Sequence, residues 1–84
     1  MSNYRVLLSI DADKFLKKLD DNLDKRIRKE LEKLKENPEL GKPLTGKLAG
    51  FWTMRMWKFR AIYQIRHSEV IVFVVKIGHR KNIY

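Results

Sequence analysis

With 84 residues the chain has room for one domain (1–84) and one modest core, burying roughly 60–65% of the surface of the unfolded chain. A composition that is 44% hydrophobic and 11% aromatic is globular, and the lack of cysteine excludes disulfides and thiolate metal sites. The formal net charge is +9: residues 1–42 carry eleven Lys/Arg against nine Asp/Glu, whereas residues 43–84 carry eight against a single acid, Glu69. Solubility explains a net charge but not this segregation, which suits a polyanionic partner. No apolar run approaches the ~20 residues of a membrane helix, and the start, MSNYRVLLSI, lacks signal-peptide features. The expectation is a cytoplasmic protein with no membrane contact.

Residues 4–10, YRVLLSI, read as a strand. Asp11 or Asp13 is expected to start a short helix with Phe15, Leu16 and Leu19 on one face. Asp20-Asp21-Asn22 breaks it, and Asp21 is expected to cap a second helix whose stripe is Leu23, Ile27, Leu31 and Leu34. Its basic residues alternate with Glu30, Glu32 and Glu36 and read as a solvated face. Asn37-Pro38 ends it. Residues 38–50, PELGKPLTGKLAG, are the one long loop. Three strands are then expected, from Phe51 to Met56, Phe59 to Arg66 and Glu69 to Ile77. The last, nearly all apolar, should be covered on both faces or lie centrally. A two-residue turn at His67-Ser68 would set Arg66 opposite Glu69 as an ion pair, and Gly78 would stop the sheet. The order β-α-α-β-β-β implies an α+β fold: a small antiparallel sheet, the N-terminal strand pairing with one of the later three, and a helical hairpin on one face.

The chemistry concentrates in FWTMRMWKFR, residues 51–60. A hairpin turning at Trp57-Lys58 pairs Thr53 with Ile62 and sets Arg55 opposite Arg60, an arrangement that destabilises a sheet unless something sits between them. No carboxylate is near them in sequence. Arg80 follows the last strand, and Lys58, Lys47, Lys76 and Lys81 could converge on the same face. Two histidines without neighbouring acids do not build a metal site or a Ser-His-Asp site. Planar guanidiniums do match a phosphodiester in cleavage, which gains negative charge on its oxygens, and RNA supplies its own 2′-hydroxyl nucleophile. Trp52 and Trp57 could stack bases or be buried. His79 is a candidate for phosphate contact, while His67 sits in a turn and reads as idle.

Two segments carry a family resemblance: FRAIYQI (59–65) and KIGHRKNIY (76–84), with NPELGKPLTGKLAGFWTMRM preceding them. Over nearly its whole length the chain resembles the RelE/ParE superfamily of toxins from type II toxin–antitoxin systems. The resemblance implies a RelE-like fold. In the RelE branch it also implies a metal-independent, cofactor-free endoribonuclease that cuts mRNA in the ribosomal A site, beside 16S rRNA, and inhibits translation. The 2′-hydroxyl attacks the adjacent phosphate and leaves a 2′,3′-cyclic phosphate. Carried over by position, the catalytic residues would be Arg55, Arg60, Arg80 and Tyr84, with Lys47, Lys58, His79 and Lys81 as RNA contacts. An acidic RelB-like antitoxin is the implied partner, and the free protein is expected to be a monomer. Thr53 stands where a second cation is often found, Trp57-Lys58 replaces a Gly-containing turn, and the chain stops at Tyr84. These departures leave general acid and base unassigned, with Lys58 or Lys47 as substitutes for the missing cation. A ParE-like poison of DNA gyrase, without catalysis, and an RNA-binding homologue with a degraded site are the alternatives.

Overall fold

The structure, a computed structural model, describes residues 3–83. Strand β1 (Arg5–Leu8) leads into helix α1 (Ile10–Lys17), and α2 (Asp21–Glu32) follows after a short break. Strands β2 (Lys42–Pro43), β3 (Trp52–Met56), β4 (Phe59–Arg66) and β5 (Ile71–His79) complete a five-stranded sheet of order β1-β5-β4-β3-β2. The α+β architecture with two helices on one face is the expected one.

Neither helix is capped by the expected residue. Ser9 caps α1: its Oγ accepts from the Ala12 N–H at 3.0 Å and donates to the Val75 carbonyl at 2.6 Å, so one hydroxyl starts the helix and ties it to β5. Asp20, one residue earlier than predicted, caps α2 by accepting from the Leu23 N–H at 2.9 Å. The stripe of α2 behaves as its period requires, with Ile27 and Leu31 buried, and a 3₁₀ turn over Lys33–Lys35 buries Leu34 before Asn37-Pro38 ends the segment. These side chains, with Ala12 and Leu16 of α1, pack on Met54, Met56, Phe59, Ala61, Tyr63, Val72, Val74 and Ile77. Each large aliphatic buried there contributes about 1.5–3 kcal/mol.

The sheet is mixed rather than purely antiparallel. β1 pairs in parallel with β5, Val6 opposite Val72 and Leu8 opposite Val74, because the two helices act as the crossover that a parallel pair needs. β5 is an interior strand, flanked by β1 and β4, and β4 is the middle one. The β4–β5 turn is longer than two residues: a 3₁₀ turn over His67–Glu69 and a left-handed Val70 (φ 56°) shift the register so that Arg66 faces Ile71. The predicted Arg66–Glu69 ion pair does not form. The Arg66 guanidinium lies over the Phe73 ring instead, 5.0 Å from its centroid. β5 continues through Gly78 to His79. It carries a bulge opposite Ile62/Tyr63, where Ile62 pairs with Lys76 and Tyr63 with Val74, so that Val74 and Ile77 can both face the core. The long loop contributes β2, whose Lys42 and Pro43 pair with Thr53 and Trp52 at the sheet edge.

Candidate active site

The period of two assigns the faces of β3 and β4. Met54, Met56, Phe59 and Ala61 belong to the core, so Thr53, Arg55, Arg60 and Ile62 project from the face away from the helices. The register is the one the Trp57-Lys58 turn predicts: Arg55 opposite Arg60 and Thr53 opposite Ile62. Arg60 is half-buried and Arg55 exposed. One Arg60 Nη reaches the Thr53 Oγ1 at 3.5 Å, the long limit for a hydrogen bond, and Thr53 is only 6% exposed. Thr53 thus offers Arg60 a neutral oxygen at long range rather than a second charge. Among the described residues, neither arginine has an ion-pair partner; the bridges all lie between residues 13 and 35.

A groove of about 500 Å³ includes Thr53, Arg55 and Arg60 on one side and Leu40, Gly41 and Lys42 from the loop on the other. Glu30 and Lys33 of α2 also line it. No carboxylate lies near the arginines in sequence, but the fold brings Glu30 to their groove, where its Oε2 is 2.9 Å from the Lys33 ammonium. In the sequence, Glu30, Lys33 and Lys42 look like any other solvated charges, and nothing local distinguishes them.

The loop is held against the site by a buried tyrosine. The Tyr63 hydroxyl donates to the Pro38 carbonyl at 2.7 Å and accepts from the Gly41 N–H at 3.1 Å. Burial pushes the phenol pKa above its usual value, against the Gly41 hydrogen bond that lowers it, so the group stays a donor. A Cβ on Gly41 would collide with the Thr53 carbonyl and come within 2.8 Å of the Tyr63 hydroxyl, so only glycine allows this approach.

The remaining candidates separate. Lys58, His79, Arg80, Lys81 and Asn82 line a second pocket of about 350 Å³. It is built by joining the hairpin tip to the segment after β5: the Arg80 N–H donates to the Lys58 carbonyl at 2.8 Å. His79 pairs with Phe59 and so faces the helix side, its ring 5.0 Å from that of Phe59 and 6.0 Å from that of Phe15. The expected convergence of all cations on one face is thus a pair of neighbouring sites. Lys47, in the 3₁₀ turn Gly46–Leu48, is exposed and lines neither. Lys76 is exposed opposite Ile62. The tail returns to the arginine face at Ile83, which is 2% exposed and packs over Gly78, the residue opposite Arg60. Tyr84 lies outside the described residues.

Such a site can hold an oxyanion between two guanidiniums that, among the described residues, pair with no carboxylate. Two helices on one face of a mixed five-stranded sheet are a fold with known relatives. The family model described as "ParE toxin of type II toxin-antitoxin system, parDE" matches residues 6–84. A RelE-like toxin protein of Escherichia coli is 31% identical over 83 residues, covering 93% of this chain and 84% of that protein. Toxin RelG of Mycobacterium tuberculosis is 34% identical over 50 residues, covering 60% of this chain and 58% of that protein, so the chain spans little more than half of its length. The toxin–antitoxin complex RelBE2 of Mycobacterium tuberculosis contains a chain that superposes with a TM-score of 0.85 at 28% identity, covering 93% of this chain and 99% of that one. The chain belongs to the ParE toxin family and is a toxin of a type II toxin–antitoxin system with the RelE/ParE fold.

Proposed function

We propose that the protein is an endoribonuclease that cuts mRNA in the ribosomal A site and is neutralised by an acidic antitoxin. The observation that carries this reading is the Arg55–Arg60 pair, directly opposed, without an acidic partner among the described residues and open to a groove. The substrate 2′-oxygen attacks the adjacent phosphorus while the P–O5′ bond breaks. The products are a 2′,3′-cyclic phosphate and a 5′-hydroxyl, the proton leaving O2′ and another reaching O5′. Charge grows on the non-bridging oxygens, and guanidiniums placed there stabilise it by about 3–4 kcal/mol per lost donor in comparable sites. Thr53 holds the Arg60 fork in place. Arg80, His79, Lys58 and Lys81 bind the flanking backbone, and Tyr84 is the remaining candidate for proton transfer. Two strands carrying the key residues make a rigid platform, so the ribosome need only deliver an extended mRNA.

The second reading is a ParE-like gyrase poison. It is favoured by the ParE family model and by the separation of Arg80 from the arginine pair. Purified ribosomes programmed with a defined mRNA, probed by primer extension with wild type and Arg80→Ala, decide between them. A-site cuts by wild type only, absent without ribosomes, are expected. Intact mRNA with folded protein, together with loss of gyrase supercoiling, would replace the nuclease by the poison.

A further inference from the structure

Trp57 occupies a backbone position that suits it poorly. As the first residue of the hairpin turn it has φ of 57°, the left-handed region where glycine is the default and a bulky side chain is strained. Burial does not compensate, because the residue is 48% exposed. The other indole behaves differently: Trp52 is half-buried and stacked on Tyr63, centroids 6.4 Å apart and planes within 22°. Strain retained at an exposed site points to a use outside the fold.

The surroundings of Trp57 say what that use is. The Arg26 guanidinium of α2 lies 4.6 Å from the ring centroid and fixes the indole, while nearly half of the residue stays exposed. The next residue, Lys58, opens the second pocket, whose other lining residues are His79, Arg80, Lys81 and Asn82, with no acid among them. A flat aromatic surface beside a pocket lined, among the described residues, by cations and no acid is what an unpaired nucleotide needs: a π-face for the base and cations for its phosphates. An acidic peptide would use the cations but has no need of the indole.

We infer that Trp57 is a stacking platform for one unpaired RNA base, whose adjoining phosphate sits in the Lys58–Arg80 pocket. The inference deepens the RNA-directed reading above and rests on it. It assigns a binding role to a residue outside the cleavage groove, and it explains why this turn does without glycine.

The test uses fluorescence. In a Trp52→Phe background Trp57 is the one tryptophan. The probe is a short 2′-O-methyl oligoribonucleotide, which has no 2′-hydroxyl to attack, with inorganic polyphosphate as the arm that supplies charge without bases. Saturable quenching by the oligonucleotide and none by polyphosphate is expected. Trp57→Gly, which gives the turn its preferred residue, should keep the melting temperature and weaken oligonucleotide binding about tenfold, the scale of one base–aromatic stack. Binding seen by anisotropy without quenching, unchanged affinity in Trp57→Gly, or a lower melting temperature with unchanged affinity would overturn the inference; the last result would make Trp57 a brace between hairpin and α2. Absence of oligonucleotide binding, or quenching only by the acidic antitoxin, would overturn it too. Loss of the nuclease reading looks different: quenching intact, ribosomal mRNA uncut.

Discussion

Arg28 and Arg60 are the same side chain in opposite settings. Arg28 bridges the two helices, its Nη2 2.9 Å from Asp13 and its Nε 2.6 Å from Asp24, and Asp13 also takes Lys17 at 3.1 Å. Hydrogen bonds from Arg28 first and Lys17 second hold the Asp13 carboxyl below the usual carboxylate range, and those to Asp13 first and Asp24 second raise the Arg28 pKa in turn. Arg60 faces Arg55 and leans on the neutral Thr53. In the helical layer Lys17, Arg28, Lys33 and Lys35 pair with acids, whereas among the described residues Arg55 and Arg60 on the open face of the sheet have no acidic partner. On the function proposed above, charge would serve folding in one region and recognition in the other.

The largest expected effect is on catalysis. Arg60→Ala should lower ribosome-dependent cleavage about 100- to 1,000-fold, the cost of removing one transition-state donor, as read from single-turnover primer extension. Next comes the loop that carries Lys42 into the groove. Gly41→Ala should cost about 3 kcal/mol of stability in urea unfolding, since the colliding atoms are backbone carbonyl and a buried hydroxyl. Tyr63→Phe should cost about 1–3 kcal/mol by stranding the Gly41 N–H and Pro38 carbonyl.

Smaller effects sharpen the contrast between paired and unpaired charge. Arg55→Glu turns a like-charge pair into an opposite one and should raise stability by about 0.5–1 kcal/mol while abolishing cleavage. A fall in melting temperature would mean that Arg55 has a structural partner. In the helical layer, Asp13→Asn should leave cleavage untouched and lower the melting temperature slightly at pH 7. Because the folded pKa of Asp13 lies below its unfolded value, its contribution is present above about pH 4 and fades as pH falls through the lowered pKa. Wild type and variant should therefore converge in melting temperature in acid.

The hairpin register was fully legible in the sequence, because a two-residue turn leaves no freedom in which residues oppose each other, and the arginine pair follows from it. The stripe of α2 and the interior place of β5 were also legible, as both are local patterns of burial. What escaped depends on distant partners. β2 is two residues long and includes a proline, so it has no periodicity to read. The parallel β1–β5 pair and the β5 bulge are choices of the assembled sheet. The turn at 67–70 departs from the two-residue expectation because it closes on a left-handed valine, which propensity disfavours. Ser9 does not stand out in the sequence beside the aspartates at 11 and 13, yet its hydroxyl meets both Ala12 and Val75. Within the site, the division of cations between two pockets follows from His79 facing the helices while Arg60 faces away.

One paired measurement tests the division most directly: the melting temperature and the ribosomal cleavage rate of Arg60→Ala against wild type. Cleavage reduced to a hundredth or less, with a melting temperature equal to or above wild type, is the expected result. Retained cleavage, or a melting temperature lower by several degrees, would contradict it and make Arg60 a structural residue like Arg28.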